Sequence, residues 1–234
     1  MFSVASYNIR KSVGTDWRRR PGRILEVLGE IGADIVALQE IDRRFGSRTS
    51  SIPPEAIEHE SPYTALRFGP RPNSLGWHGN TILVRKGLEI LDTRRIVLPG
   101  LEPRGAVLAD IRLDDKRVRF IGMHLGLVGF WRTRQSLAVL DFVEKLEERL
   151  PTVIMGDLNQ WTADGGSVGH FAQHHHIIAP GPSFHASRPV VALDRIITSR
   201  DIALMQCGVH LSDQSRKASD HLPVWARLKI EPAR

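Results

Sequence analysis

The sequence predicts an α/β fold in which two mixed β-sheets pack face to face with helices on the outside. Two observations carry this. A helical stretch followed by a buried strand that ends in an acid occurs twice, closing at Glu40 and again at Asp157, and a unit repeated in this way implies two similar halves. Between them runs a series of strand-like segments parted by short turns such as Lys86-Gly87 and Asp114-Asp115, the pattern of antiparallel hairpins. No linker divides the chain, so one domain over residues 1–234 is expected, long enough to bury a sizeable core.

Phe2 to Ile9 alternates apolar with small or polar residues and reads as a first strand that delivers Asn8 at its end. Pro21 suits the first turn of a helix, whose apolar positions Ile24, Leu25, Leu28 and Ile31 recur at helical spacing until Gly32 stops it. Ala33 to Gln39 follows as a buried strand. A parallel pairing of these two strands would bring Asn8 and Glu40 to the same sheet edge. Residues 43–62, rich in Arg, Ser and Pro, read as a long loop that either shapes a substrate cleft or is mobile. Strands are expected at Tyr63–Phe68, Asn80–Arg85, Leu88–Leu98, Ala106–Leu113 and Arg117–His124. A helix over Thr133–Leu150 is expected next, ended by Pro151, then a strand leading into Asp157. Val190–Ser199, Ile202–Leu211 and His221–Ile230 complete the strands.

Composition is that of an ordinary globular protein, with 41% hydrophobic and 25% charged residues. A net charge of +6 and a pI near 10.0 favour an anionic partner such as nucleic acid or a phospholipid surface. The single cysteine, Cys207, excludes an internal disulfide and sits in an apolar stretch as a small core residue. Nowhere do 18 apolar residues run together, so no transmembrane helix is expected. The apolar start runs into Arg10-Lys11, the reverse of a secretory leader. A cytoplasmic monomer is the expectation.

The chemistry-bearing residues cluster in three stretches. Ser219-Asp220-His221 sets a carboxylate beside an imidazole near the end of the chain, Gly156-Asp157-Leu158-Asn159 sets a carboxylate and an amide at i and i+2, and Leu38-Gln39-Glu40 closes an apolar run with an acid. The i, i+2 spacing places both side chains on one side of an extended backbone. Together they offer hard oxygen ligands of the kind Mg2+ or Mn2+ takes, with a histidine able to move protons near neutral pH. Asp194, inside Val191-Ala-Leu-Asp-Arg-Ile-Ile197, needs a histidine or arginine partner if buried. His124 taken alone is a hydrogen-bonded edge histidine. Consecutive His174-His175-His176 point in different directions without a flanking acid and read as a solvated loop, as does Arg18-Arg19-Arg20. A serine-nucleophile triad does not fit, because adjacent Ser219, Asp220 and His221 cannot chain their hydrogen bonds and no Gly-x-Ser-x-Gly elbow occurs.

Tyr7-Asn8-Ile9, Leu38-Gln39-Glu40, Met123-His124-Leu125, Gly156-Asp157-Leu158-Asn159, Leu193-Asp194-Arg195 and Ser219-Asp220-His221 fall in an order that resembles the endonuclease/exonuclease/phosphatase, or DNase I-like, superfamily. Glu102-Pro103-Arg104-Gly105 and Pro182-Ser183-Phe184 resemble a small bacterial branch of it. The resemblance implies a four-layer α/β sandwich with its active site on the strand ends and loops of one edge. It implies Glu40 as the principal metal ligand with Asn8 and Asp220 near the metal, Mg2+ or else Mn2+. It further implies Asp157 positioning or activating the attacking water, Asn159 holding that water or a phosphate oxygen, and His221, oriented by Asp194, as base or transition-state contact. His124 would meet the phosphoryl oxygen or leaving group, and Arg134-Gln135 would support. Arg104, Trp131 and Arg132 are, apart from the resemblance, further candidates for substrate contact. Many relatives acting on damaged DNA carry an acid two residues after the first-strand Asn, where this chain has Arg10.

The loop after His124 carries Phe130-Trp131-Arg132, with Phe130 expected to pack on a neighbour and Trp131 to contact substrate; Trp77-His78 is a comparable aromatic pair. Three function classes follow: a divalent-metal phosphodiesterase or nuclease, favoured by the residue set and the basic charge; a hydrolase of phospholipid or small-molecule phosphoesters; and a non-catalytic binding protein on the same fold.

Overall fold

The computed structural model describes residues 1–231. Its strands are β1 (Phe2–Asn8), β2 (Ile35–Gln39), β3 (Tyr63–Ala65), β4 (Thr81–Arg85), β5 (Glu89–Val97), β6 (Gly105–Leu113), β7 (Lys116–His124), β8 (Thr152–Asp157), β9 (His175–Ile178), β10 (Asp194–Ser199), β11 (Ile202–Val209) and β12 (Val224–Ile230). Helices are α1 (Pro21–Ile31), α2 (Pro54–Glu60), α3 (Gly129–Glu144), α4 (Gly166–Ala172) and α5 (Ser215–Ala218). Two six-stranded sheets result, in the orders β11-β12-β1-β2-β4-β3 and β5-β6-β7-β8-β10-β9.

The repeated unit inferred from sequence is the centre of each sheet. β1 and β2 pair in parallel with α1 between them in the chain, and β7 and β8 do the same around α3, whereas the remaining pairs are antiparallel. Register sets Asn8 opposite Gln39 and His124 opposite Asp157, so each parallel pair ends its chemistry at one edge.

Alternation along the strands builds the layers. Val4, Ile35, Ala37, Phe120, Val153, Met155 and Val224 belong to the buried cluster between the sheets. Their neighbours Ala5, Tyr7, Val36 and Leu38 face α1 on one outer side, and Ile121, Met123 and Ile154 pack with Val139 and Phe171 on the other. The order helix, sheet, sheet, helix is the four-layer sandwich.

Several boundaries differ from expectation for identifiable reasons. α3 starts at Gly129 and ends at Glu144, earlier at both ends than 133–150, because its first turn is exposed and shows no apolar period. Residues 43–62 contain α2, a seven-residue helix opened by Pro53-Pro54 whose one buried side chain, Ile57, is too little to show a period. The His tract is not a loop: His175 and His176 begin edge strand β9 and pair with Ser199 and Thr198. β12 begins at Val224, so His221 lies before it, in an isolated bridge to Phe184. Cys207 is half-buried against the inter-sheet core. No helix among the described residues is long and apolar enough to cross a membrane.

One glycine fixes the site strand. A Cβ on Gly156 would lie 1.9 Å from the Met123 carbonyl oxygen, at the point where β8 meets β7. Gly156→Ala is therefore expected to destabilise the protein by about 1–3 kcal/mol in urea unfolding, the range for overpacking a tight contact, and to lower activity by shifting Asp157; wild-type stability would contradict this.

Candidate active site

Asp157 ends β8 almost fully buried and collects donors from both sheets. The Asn8 side-chain amide, at the end of β1 across the sandwich, donates to its Oδ2 at 3.0 Å. On the same oxygen converge His124 Nε2 at 3.4 Å and His221 Nε2 at 3.6 Å, contacts longer than hydrogen bonds. The other oxygen, Oδ1, accepts the backbone N–H of Asn159 at 2.9 Å. Asn159 thus closes a turn at positive φ, +49°, and does not continue an extended strand beside Asp157. Its side-chain amide donates to the Leu125 carbonyl at 2.9 Å, leaving the amide oxygen for water or substrate.

His221 is held from behind. Its Nδ1 lies 2.9 Å from Asp194 Oδ2, which also accepts the Ser183 hydroxyl at 2.5 Å. Phe184 covers the ring at 4.9 Å between centroids. Burial alone would lower the histidine's pKa, but the carboxylates of Asp194, Asp157 and Asp220 outweigh it and push the value up to about 10. His221 is therefore an imidazolium at neutral pH.

His124 has the opposite charge state. Burial is the main cause, the Arg104 guanidinium adds to it, and Asp157 opposes without prevailing, so its pKa falls to about 3. Arg104 Nη1 lies 3.1 and 2.9 Å from the two ring nitrogens, so it packs against the imidazole as a whole; Glu102 holds its other end at 2.9 Å.

Glu40 follows β2 at φ +57° and lines an open cleft together with His124, Arg104, Trp77 and the arginines of residues 43–48. Lys11 pairs with its carboxylate. Asp220 is matched likewise by Arg10 at 3.3 Å. Both expected acidic ligands are thus drawn to a cation from one short segment after β1. Asn8 Oδ1 accepts the Arg10 N–H at 3.1 Å. Asp157, Asp194 and His221 bring ligand atoms within 4.8 Å of one another and form a second set able to hold a metal ion.

The structure brings Asn8, His124, Asp157, Asn159, Asp194 and His221 into contact, with Glu40 and Asp220 on neighbouring loops. Arg132 is spent mostly on protein, donating to the carbonyls of Gly126 and Leu127 and to Gln160. Gln135 is buried and supports the same loop, accepting the Gly126 N–H at 2.7 Å and donating to the Pro99 carbonyl at 2.9 Å. Phe130 is not packed away: it is 60% exposed in the first turn of α3, edge-on to half-buried Trp131. Sequence reasoning passed over Lys11, whose only signal was its nearness to Asn8, and gave Ser183 no role beyond a family fragment.

Residues 5–221 match the Endonuclease/Exonuclease/phosphatase family. The chain belongs to that family. Among its relatives is the uncharacterised protein YbhP of Escherichia coli K12, 26% identical over 250 aligned positions that cover 98% of this chain and 96% of that protein. Solved structures of the same fold include a family member from Beutenbergia cavernae, with TM-score 0.76, 22% identity, and coverage of 99% of this chain and 72% of that one. The mannosyl-6-phosphatase of Bacteroides thetaiotaomicron superposes with TM-score 0.77 at 17% identity, covering 98% and 100%. D. rerio TDP2 bound to a single-strand DNA product gives 0.75 at 16%, covering 97% and 98%. The family generally catalyses phosphoester hydrolysis and depends on divalent metal.

The charge state of His221 has a thermodynamic signature. The folded protein keeps this proton up to about pH 10, whereas an unfolded histidine releases it near about 6.5. Between those values the native state binds more protons, so stability falls as pH rises. In chelator, the contribution that His221 makes relative to His221→Gln should shrink by about 3 kcal/mol between pH about 6.5 and 9; a pH-independent difference in urea unfolding would overturn the assignment.

Proposed function

We propose that this protein is a divalent-metal-dependent phosphodiesterase in which Asp157 directs a water at phosphorus and the His221 imidazolium stabilises the charge that develops on the phosphoryl oxygens. The observation that carries this is the pair of histidines in opposite charge states on one carboxylate oxygen of Asp157. The imidazolium beside the Asp157 carboxylate sets a proton donor and a base side by side, with the neutral imidazole of His124 on the same carboxylate oxygen.

The residues fit a hard divalent cation. Glu40 presents a carboxylate in the cleft, Asn8 an amide oxygen, and Lys11 stands at Glu40 as a cation already. Glu40 with Asn8 would hold Mg2+ or Mn2+, with Asp220 nearby. Such an ion supplies positive charge to offset that of the phosphoryl oxygens.

The chain's own groups do the rest. Asn8 and the Asn159 backbone amide fix both Asp157 oxygens, so the carboxylate is aimed without reorganising. It accepts the proton of the attacking water. The imidazolium, held by Asp194 through Nδ1, directs Nε2–H at a phosphoryl oxygen. His124, neutral and backed by Arg104, faces the same oxygen of Asp157 and presents the leaving group with a polar wall on which Arg104 places positive charge. Because His221 already carries its proton, the role of transition-state contact is favoured for it over that of base.

Hydrolysis of bis-p-nitrophenyl phosphate tests this directly. Turnover should require Mg2+ or Mn2+ and vanish in chelator, with Asp157→Asn lowering kcat by about 10²–10⁴ as expected for loss of a general base and His221→Ala by about 10²–10³ as for loss of a charge-stabilising donor. Metal-independent turnover, or an Asp157→Asn variant as fast as wild type, would contradict the proposal.

A further inference from the structure

The two edges of the sandwich differ in what they show to solvent. The catalytic edge is formed by the strand ends carrying Asn8, Gln39, His124, Asp157 and Asp194, and each of six connections there exposes a large apolar side chain. Trp17 follows β1, Phe45 follows β2, Leu101 precedes β6, Phe130 follows β7, Trp161 follows β8 and Val190 precedes β10; all are between 60% and 88% exposed. Leu127 and Val128 add to the ring. The turns of the opposite edge carry Lys86-Gly87, Asp114-Asp115 and Arg200-Asp201. Met1 is exposed at that opposite edge, and Ile90, Leu137, Leu204 and Met205 on strand and helix faces, but most of the exposed large apolar side chains lie on the catalytic edge.

Positive charge travels with the ring. Exposed Arg18, Arg44, Arg134 and Arg188 each lie within four residues of one of these side chains. Two of the rings are held out by cations: the Arg10 guanidinium sits 4.4 Å from the Trp17 centroid and that of Arg134 4.8 Å from Phe130. A nucleic acid would be met by aromatic faces along a groove. Here two of the six connections bear aliphatic tips, Leu101 and Val190, and the connection of Phe130 adds the Leu127-Val128 pair; none of these four side chains has a stacking face or a hydrogen-bonding group. Apolar tips interleaved with arginines match a headgroup region, where acyl chains lie beneath anionic phosphates.

We propose that the catalytic edge docks on the surface of an anionic phospholipid bilayer, with these loop tips in the headgroup region and the cleft facing the lipid phosphates. The phosphodiester then hydrolysed is one presented at that surface, which rests on the phosphodiesterase activity proposed above. Docking itself does not. It requires only the exposed tips and the arginines.

The test is co-sedimentation with large vesicles of phosphatidylcholine alone and of equimolar phosphatidylcholine and phosphatidylglycerol, for wild type and a Phe45→Ser, Trp161→Ser double variant. Wild type should partition to the anionic vesicles at least about tenfold more strongly than to neutral ones, with a blue shift of tryptophan fluorescence and weakening at high salt. The double variant should bind the anionic vesicles about tenfold or more weakly, while its turnover of soluble bis-p-nitrophenyl phosphate stays at the wild-type value. Equal partition to both vesicles, or a double variant that binds as wild type does, overturns the docking. So does a double variant that loses affinity for a single-stranded oligonucleotide but not for vesicles, since the edge would then be a nucleic-acid face. Intact vesicle binding without metal-dependent turnover supports the docking and overturns the phosphodiesterase half alone.

Discussion

The structure depends on one buried carboxylate that both sheets must satisfy. Asp157 ends a strand of the second sheet, yet one of its hydrogen bonds comes from Asn8 at the end of the first. A buried charge without partners is costly, so the two sheets are held in the relation that lets Asn8, His124, His221 and the Asn159 amide reach it together. The inter-sheet core of Val4, Ile35, Ala37, Phe120 and Met155 supplies most of the adhesion. The carboxylate supplies a condition on its geometry.

That arrangement also decides who carries protons. Two histidines approach the same oxygen, but their other neighbours differ: Asp194 behind His221, Arg104 beside His124. The first histidine is held charged and the second neutral, although both are buried. Ser183 and Glu102 stand one step further out, each fixing the group that fixes a histidine. A similar device is not needed at Glu40, which stays on the cleft and is met by Lys11.

Much of this was legible in the chain. The parallel pairs could be anticipated because α1 shows a clear apolar period and because β2 and β8 each run apolar into an acid. Asp194 announced itself as a buried charge in need of a partner, and His221 is that partner. What could not be read depended on long-range geometry. The turn at Asn159 is set by its own bond back to Asp157, which an i, i+2 spacing does not reveal. α3 begins in an exposed aromatic turn that carries no periodic signal, and β9 hides its pairing in a run of histidines. The buried Arg119–Asp110 pair across β6 and β7, with both bonds at 2.8 Å, needs the strand register before it can be recognised.

Asp194 and Asp157 hold His221 as an imidazolium on the reacting side of the site. Nuclear magnetic resonance titration of the His221 ring nitrogens in chelator, for wild type and Asp194→Asn, measures it most directly. The wild-type ring should stay protonated on both nitrogens well above neutral pH, towards about 10, and the variant should titrate at a markedly lower pH. A wild-type ring that titrates near an ordinary histidine's about 6.5, unmoved by Asp194→Asn, would contradict it.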